Sequence, residues 1–91
     1  MKSLQYRRIE RTVRAFANHR RVQILSLLHN EPELSVLEIA NNLKINFKTA
    51  AVHVQRLAIG GLVLKRNDGL WVRHKLTERG NSILKFCRTL E

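Results

Sequence analysis

Residues Leu34–Leu76 read LSVLEIANNLKINFKTAAVHVQRLAIGGLVLKRNDGLWVRHKL, and the punctuation inside this stretch decides the fold. Ser35 and Glu38 make an S-x-x-E capping box, in which hydroxyl and carboxylate satisfy free backbone N–H groups and so start a helix. Leu37, Ala40 and Leu43 would face inward, and Ala40 is small enough to let a second helix cross closely. Lys44-Ile45-Asn46 makes the turn, with Asn46 as the next N-cap. Phe47, Ala50, Ala51, Val54, Leu57 and Ala58 then recur at helical spacing as far as Ile59. Gly60-Gly61 ends the run with a residue free to take positive φ. Leu62–Arg66 and Leu70–Leu76 are alternating segments around Asn67-Asp68-Gly69, a hairpin signal. Leu62, Leu64, Val72, His74 and Leu76 would share its inner face.

Working outward, a first helix is expected from Leu4 to Ala17, with Tyr6, Ile9, Val13 and Phe16 on one face and Arg7, Arg8, Arg11 and Arg14 on the others. Such a basic amphipathic helix suits a membrane surface or a subunit interface; its narrow apolar face favours the interface. Asn18 caps a second helix, His19 to His29, whose stripe is Val22, Leu25 and Leu28, widened by Ile24 and Leu27. Asn30 and Pro32 close it, and Leu34-Ser35 could pair with the hairpin as a short third strand. Thr77 caps a final helix in which Ile83, Phe86, Cys87 and Leu90 recur at helical spacing. The expected fold is mainly α with a small β-hairpin, in the order α-α-β-α-α-β-β-α: a winged helix-turn-helix. Residues 1–91 would form a single domain, with residues 1–17 and 77–91 as dimerisation helices contributing Tyr6, Ile9, Val13, Ile83, Phe86, Cys87 and Leu90 to the dimer interface.

The chain of 91 residues carries 17 Lys and Arg against 7 Asp and Glu, a formal net charge of +10. A small domain that basic attracts polyanions, and the attraction weakens with salt. The charge is uneven: residues 1–21 are net +6, 22–47 net −2, and 48–75, which hold the second helix of the motif and the hairpin, net +5. Cys87 is the only cysteine, so no intramolecular disulfide forms. Charges interrupt every apolar run before it could act as a leader or span a bilayer, and a cytoplasmic, nucleoid-associated protein is expected.

Double-stranded DNA is the expected partner, because a major groove admits a helix and residues in its first turns reach base edges. The outer face of the second motif helix, residues 46–59, carries Lys48, Thr49, Val52, Gln55, Arg56 and, at its margin, His53. Lys48 suits guanine acceptors or phosphate, Thr49 phosphate or a thymine methyl, Gln55 adenine and Val52 a thymine methyl, while Arg56 suits the backbone. On the hairpin, residues 62–76, Lys65, Arg66, Arg73 and Lys75 would straddle the adjacent phosphates. Trp71 is expected to cover the core edge in preference to stacking or wedging at nucleic acid, and because Asp68 would repel phosphates the hairpin tip is expected to swing clear of DNA. His19, His29, His53 and His74 lack the convergent spacing of a metal site, so no metal or cofactor is expected. No nucleophile–base pair, phosphate loop or carboxylate pair appears, so neither an enzyme nor a small-molecule substrate is expected.

From Phe16 to Leu76 the chain resembles the ArsR-like winged-helix repressors. The resemblance rests on Arg21-Val22-Gln23-Ile24-Leu25, Leu37-Glu38-Ile39-Ala40, His53-Val54-Gln55-Arg56-Leu57 and Gly61-Leu62-Val63. The junction Leu76-Thr77-Glu78-Arg79-Gly80 is similar to that of both ArsR-like and MarR-like regulators. It implies a homodimeric, sequence-specific transcriptional repressor. Three departures stand out. The family's turn glycine is Lys44, which would cost on the order of 1 kcal/mol in left-handed geometry. Its Ser-Arg-His is Ala51-Val52-His53, so the target sequence does not carry over. Its metal-binding cysteine motif is absent from VLEIANNL. Alternatives on the same fold are a non-specific architectural DNA binder and a protein-interaction subunit of a transcription assembly.

Overall fold

Four short polar side chains set the helix starts in the computed structural model, which describes residues 3–91. Helix α1, Tyr6–Phe16, has no side-chain cap. Asn18 opens α2, His19–Asn30, by accepting from the N–H groups of Arg20 and Arg21. Ser35 opens α3, Val36–Leu43, with both halves of the capping box formed: Glu38 N–H to Ser35 Oγ at 3.2 Å and Ser35 N–H to Glu38 Oε1 at 2.9 Å. Asn46 opens α4, Phe47–Ile59, and Thr77 opens α5, Glu78–Arg88. Each cap satisfies donors that a helix start otherwise leaves unpaired. The start of the expected 1–17 segment, residues 1 and 2, lies outside the described residues.

Strands β1, Val63–Asp68, and β2, Trp71–Leu76, pair antiparallel from Val63↔Leu76 to Asp68↔Trp71. The loop is therefore Gly69-Leu70, with Asn67 and Asp68 inside the strand, and Gly69 takes φ +62°. A two-residue hairpin with glycine at its first central position matches the strand twist. This moves the turn away from the expected Asn67-Asp68-Gly69. It also changes which residues face inward. Val63, with His74 and Leu76, turns to the core, while Leu64 lies on the outer face with Arg66, Arg73 and Lys75. Trp71 is on that outer face too and stands half exposed, so it does not cover the core. Val72 shares the inner side but lies beyond the core, close to the tip.

The expected third strand is a single bridge, Leu34↔His74. His74 N–H donates to Leu34 O at 2.9 Å, Glu33 N–H to His74 O at 2.8 Å, and the ring Nδ1–H to Leu34 O at 2.8 Å. His74, 1 % exposed, thus ties the wing to the segment before α3.

The core gathers Ile24, Leu25 and Leu28 of α2, Ile39 of α3, Val54 and Leu57 of α4, Leu62, Val63 and Leu76 beside and in the hairpin, and Leu84 of α5. In α3 the buried set follows Val36, Ile39, Ala40 and Leu43, and in α5 Gly80, Ile83, Leu84 and Cys87; both are i, i+3, i+4, i+7 stripes. Leu37, expected inward, sits one residue off that stripe and is exposed. Phe47, also expected inward, lies in the first turn of α4, ahead of the buried run that starts at Ala50, and is 51 % exposed. Lys44 occupies the turn after α3 at φ 56°, ψ 45°, the left-handed geometry that a glycine takes without strain. Among the described residues no helix is long and apolar enough to cross a membrane.

Candidate nucleic-acid interface

Asn46 Oδ1 accepts from Lys48 N–H at 2.7 Å and Thr49 N–H at 3.4 Å, fixing the first turn of α4. Ala50, Val54 and Leu57 bury one side of the helix completely. That leaves Lys48, Thr49, Val52, Gln55 and Arg56 exposed along the other, about 12 Å from first to last at 1.5 Å per residue. Val52 is half exposed at the middle of this face. An apolar side chain there would gain by packing on a thymine methyl.

His53 is placed differently. Its Nδ1 accepts from Arg21 Nε–H at 3.1 Å, joining α4 to α2. Burial, and then the nearby charges of Arg21, His19 and Arg20, push its pKa below the ordinary imidazole value. A neutral, half-buried ring holding Arg21 serves to position α4 on α2 more directly than to meet a base.

On the wing the four basic residues divide into two pairs. Arg66 donates from Nη2 and Nε to Glu33 Oε2, at 3.0 and 3.3 Å. Arg73 donates from Nε to Asp68 Oδ2 at 2.9 Å and from Nη1 to Glu33 O at 3.1 Å, with Glu38 at 3.8 Å. Arg66 and Arg73 are cross-strand partners, and like charges so placed repel; the carboxylates of Glu33, Glu38 and Asp68 offset this. The hydrogen bond and charge of Arg73 hold Asp68 below the usual carboxylate range. Glu38 is lowered chiefly by the Ser35 N–H of its capping box. Asp68, beside the tip, is thus paired with Arg73. Lys65 and Lys75 make no ion pair among the described residues. Position-by-position reading of the wing missed this acidic clamp; the signal for Glu33 and Glu38 was the negative block that precedes the basic one in sequence.

The apolar residues expected at a dimer interface form two groups. Tyr6, 79 % exposed, and Ile9 and Val13 leave one face of α1 uncovered, and Phe86 of α5 and Leu90 just beyond its end are exposed too. Ile83 and Cys87 are half-buried against the core, and burial raises the Cys87 thiol pKa. Among the described residues, no three His, Cys, Asp or Glu side chains gather as metal ligands would.

Residues 18–63 match the family model described as "Winged helix-turn-helix DNA-binding", a span that runs from the cap of α2 into the first strand of the hairpin. The chain belongs to the winged helix-turn-helix DNA-binding family. Within this winged helix-turn-helix family it is ArsR-like. Over 71 residues it is 34 % identical to a Halobacterium salinarum protein named for the arsenical resistance operon repressor ArsR, covering 77 % of this chain and 55 % of that one. It is 43 % identical over 61 residues to an HTH-type transcriptional regulator of Mycobacterium tuberculosis, covering 67 % of this chain and 26 % of that one. The chain therefore spans about half or less of these curated relatives. A homodimeric winged helix-turn-helix DNA-binding domain of Mycobacterium bovis, fragment 1–100 of a possible ArsR-family regulator, superposes with a TM-score of 0.84 at 29 % identity, covering 99 % of this chain and 89 % of that one. The family is one of DNA-binding regulators, not a class of enzymes.

Proposed function

We propose that this winged helix-turn-helix protein is a homodimeric, sequence-specific repressor of transcription that binds double-stranded DNA in the cytoplasm, as one domain over residues 1–91. In this reading α4 enters the major groove. Lys48, Thr49, Val52 and Gln55 approach base edges, Arg56 meets the backbone, and His53 steadies the helix. Lys65 and Lys75 of the wing, with Arg66 and Arg73, approach neighbouring phosphates. The carrying observation is the one-sidedness of α4: Ala50, Val54 and Leu57 are wholly buried while its polar and basic side is free. Tyr6, Ile9 and Val13 with Ile83, Phe86, Cys87 and Leu90 would pair with a second copy, as the homodimeric state of the Mycobacterium bovis domain supports. A two-fold dimer puts its reading helices about 34 Å apart and selects a pseudo-palindromic site.

Selection from a randomised duplex pool tests the reading. A recovered palindrome whose retention falls with Lys48→Ala and Gln55→Ala is the expected result. Equal affinity for selected and random duplexes would instead make the protein an architectural binder, which the apolar Val52 at the centre of the face would suit. Absence of duplex binding at low salt would leave a protein-interaction role.

A further inference from the structure

Six of the eleven arginines converge on one cleft that the reading face does not account for. Arg8, Arg11 and Arg14 of α1, Arg21 of α2, Arg56 of α4 and Arg79 of α5 line a cavity of about 620 Å³, and no carboxylate is among its walls. The fold builds this cleft by a close approach of two helices. A Cβ at Gly60, at the end of α4, would collide with Ala15 Cβ, so only glycine lets the C-terminal end of α1 lie on the end of α4. Arg8, Arg11 and Thr12 then overhang that contact, while Ala15, Gly60 and the exposed Ile59 form an apolar floor.

The positive charge here is uncompensated. Among the described residues Arg14 alone of the six makes an ion pair, with Glu10 at 3.9 Å. Arg21 is fixed in place without a carboxylate: Nη1 donates to Arg14 O at 3.2 Å and Ala15 O at 3.5 Å, and Nε to His53. The sequence of α1 works against the helix it forms. It has no side-chain cap and no acid in its first turn, and Arg8, Arg11 and Arg14 follow at intervals of three, a spacing at which like charges repel. Arginine, with its planar fork of donors, grips phosphate bidentately. Several such forks around one cleft suit an anion bearing several phosphates, and the volume is that of a small-molecule site. Arg8, Arg11 and Ala15 occupy the side of α1 turned away from Tyr6, Ile9 and Val13, so a dimer formed through the apolar face leaves the cleft open.

We propose that this cleft is a binding site for phosphate groups presented in series, either a free polyphosphate chain or a stretch of nucleic-acid backbone running past the C-terminal end of α4. Arg56 lies both in the cleft and at the end of the reading face, so an occupant would be felt by DNA binding. The inference stands apart from the choice of bases by Lys48 and Gln55, because the residues it tests are on α1.

The experiment titrates the full chain with inorganic tripolyphosphate at matched ionic strength, by calorimetry and by thermal shift, and separately measures its affinity for a duplex. Arg8→Ala/Arg11→Ala removes two forks from exposed positions. Lys85→Ala/Arg88→Ala makes the same charge change on α5, outside the cleft. The α1 double variant is expected to weaken tripolyphosphate binding about a hundredfold, since each of the two lost charged hydrogen bonds costs roughly a factor of ten, while the α5 variant changes little. Arg8→Lys/Arg11→Lys, which keeps charge and loses the forks, should fall between. If the duplex affinity drops with the α1 variant while tripolyphosphate fails to bind even the wild type, the phosphates belong to DNA; if tripolyphosphate alone is affected, they belong to a free anion. Equal losses for the α1 and α5 variants, or no loss in either assay, overturn the proposal.

Discussion

Replacing Glu33 by glutamine should make DNA binding by this protein more salt-dependent, not less. Glu33 Oε2 holds Arg66 at 3.0 Å, on a surface where both side chains remain well exposed, so the pair adds little to stability. Its consequence is electrostatic: it keeps Arg66 occupied and sets a negative charge where phosphates would approach. Counting Lys48, Arg56, Lys65 and Lys75, the cations of α4 and the wing that make no ion pair among the described residues, gives eight per dimer. If each meets a phosphate, log K should fall against log salt with a slope of roughly 7. Releasing Arg66 on both protomers raises the count to ten and the slope to about 9, with tighter binding at low salt. Arg73 stays held, because its contact to residue 33 is with the backbone carbonyl and its side-chain partners are Asp68 and Glu38. Glutamine is the appropriate substitution, since Glu33 sits at φ 72° and a change of backbone preference would confuse the result. Fluorescence anisotropy of a labelled operator over a series of salt concentrations reads the slope, and a thermal melt confirms an unchanged fold. An unchanged slope with unchanged melting would show that the wing does not approach phosphate, or that Arg66 already leaves Glu33 when DNA binds. Either outcome refutes the reasoning.

Three other positions carry outcomes of their own. Burial, reinforced by Lys65 and only partly countered by the Leu34 hydrogen bond, depresses the His74 pKa below 6.5; the unfolded chain then binds the proton more readily, so stability should be full above that value and lost as pH falls through it toward the folded value, as chemical denaturation at a series of pH values would show. Lys44→Gly should remove the left-handed strain at φ 56° and raise stability by up to about 1 kcal/mol, less the entropy that glycine adds to the unfolded chain; a decrease on denaturant melting would mean the lysine makes a compensating contact. Leu57→Ala, at a wholly buried position of α4, should cost about 2–5 kcal/mol and weaken DNA binding through loss of the scaffold, measurable as a drop in melting temperature.

Helix starts were legible in the sequence because capping is local. Asn18, Ser35, Asn46 and Thr77 each act through a hydrogen bond to a residue two or three positions ahead, and no tertiary information is needed to see that. Faces were legible only approximately. In α3 several apolar residues are crowded into eight positions, so the stripes through Leu37 and through Ile39 both look continuous. Only the packing of α3 on its neighbours selects the second. The hairpin posed a sharper version of the problem, since alternation fixes which residues share a face but not which face is inward until the register is known. Placing the loop at Gly69-Leu70 and Val63 opposite Leu76 exchanged Val63 for Leu64 at a stroke, and left Trp71 outside with Leu64.

Charge was the least legible feature, for a reason that reaches the function. Composition shows +10 and locates the basic blocks, yet whether a given arginine can serve a polyanion depends on which carboxylates the fold brings to it. Arg66 and Arg73 lie in a basic segment and are held by Glu33, Glu38 and Asp68. Arg8, Arg11, Arg21 and Arg79 lie in three different elements, none of them part of the reading face, and meet in a cleft without a carboxylate. Contacts of more than thirty residues' separation bring Glu33 and Glu38 to the wing and the approach of α1 to Gly60 produces the cleft, so neither could be reached by counting along the chain. The fold thus restrains positive charge beside α4, the helix we propose to read the bases, where an indiscriminate grip on phosphate would dilute the contribution of base contacts to specificity, and concentrates it at the far end of that helix.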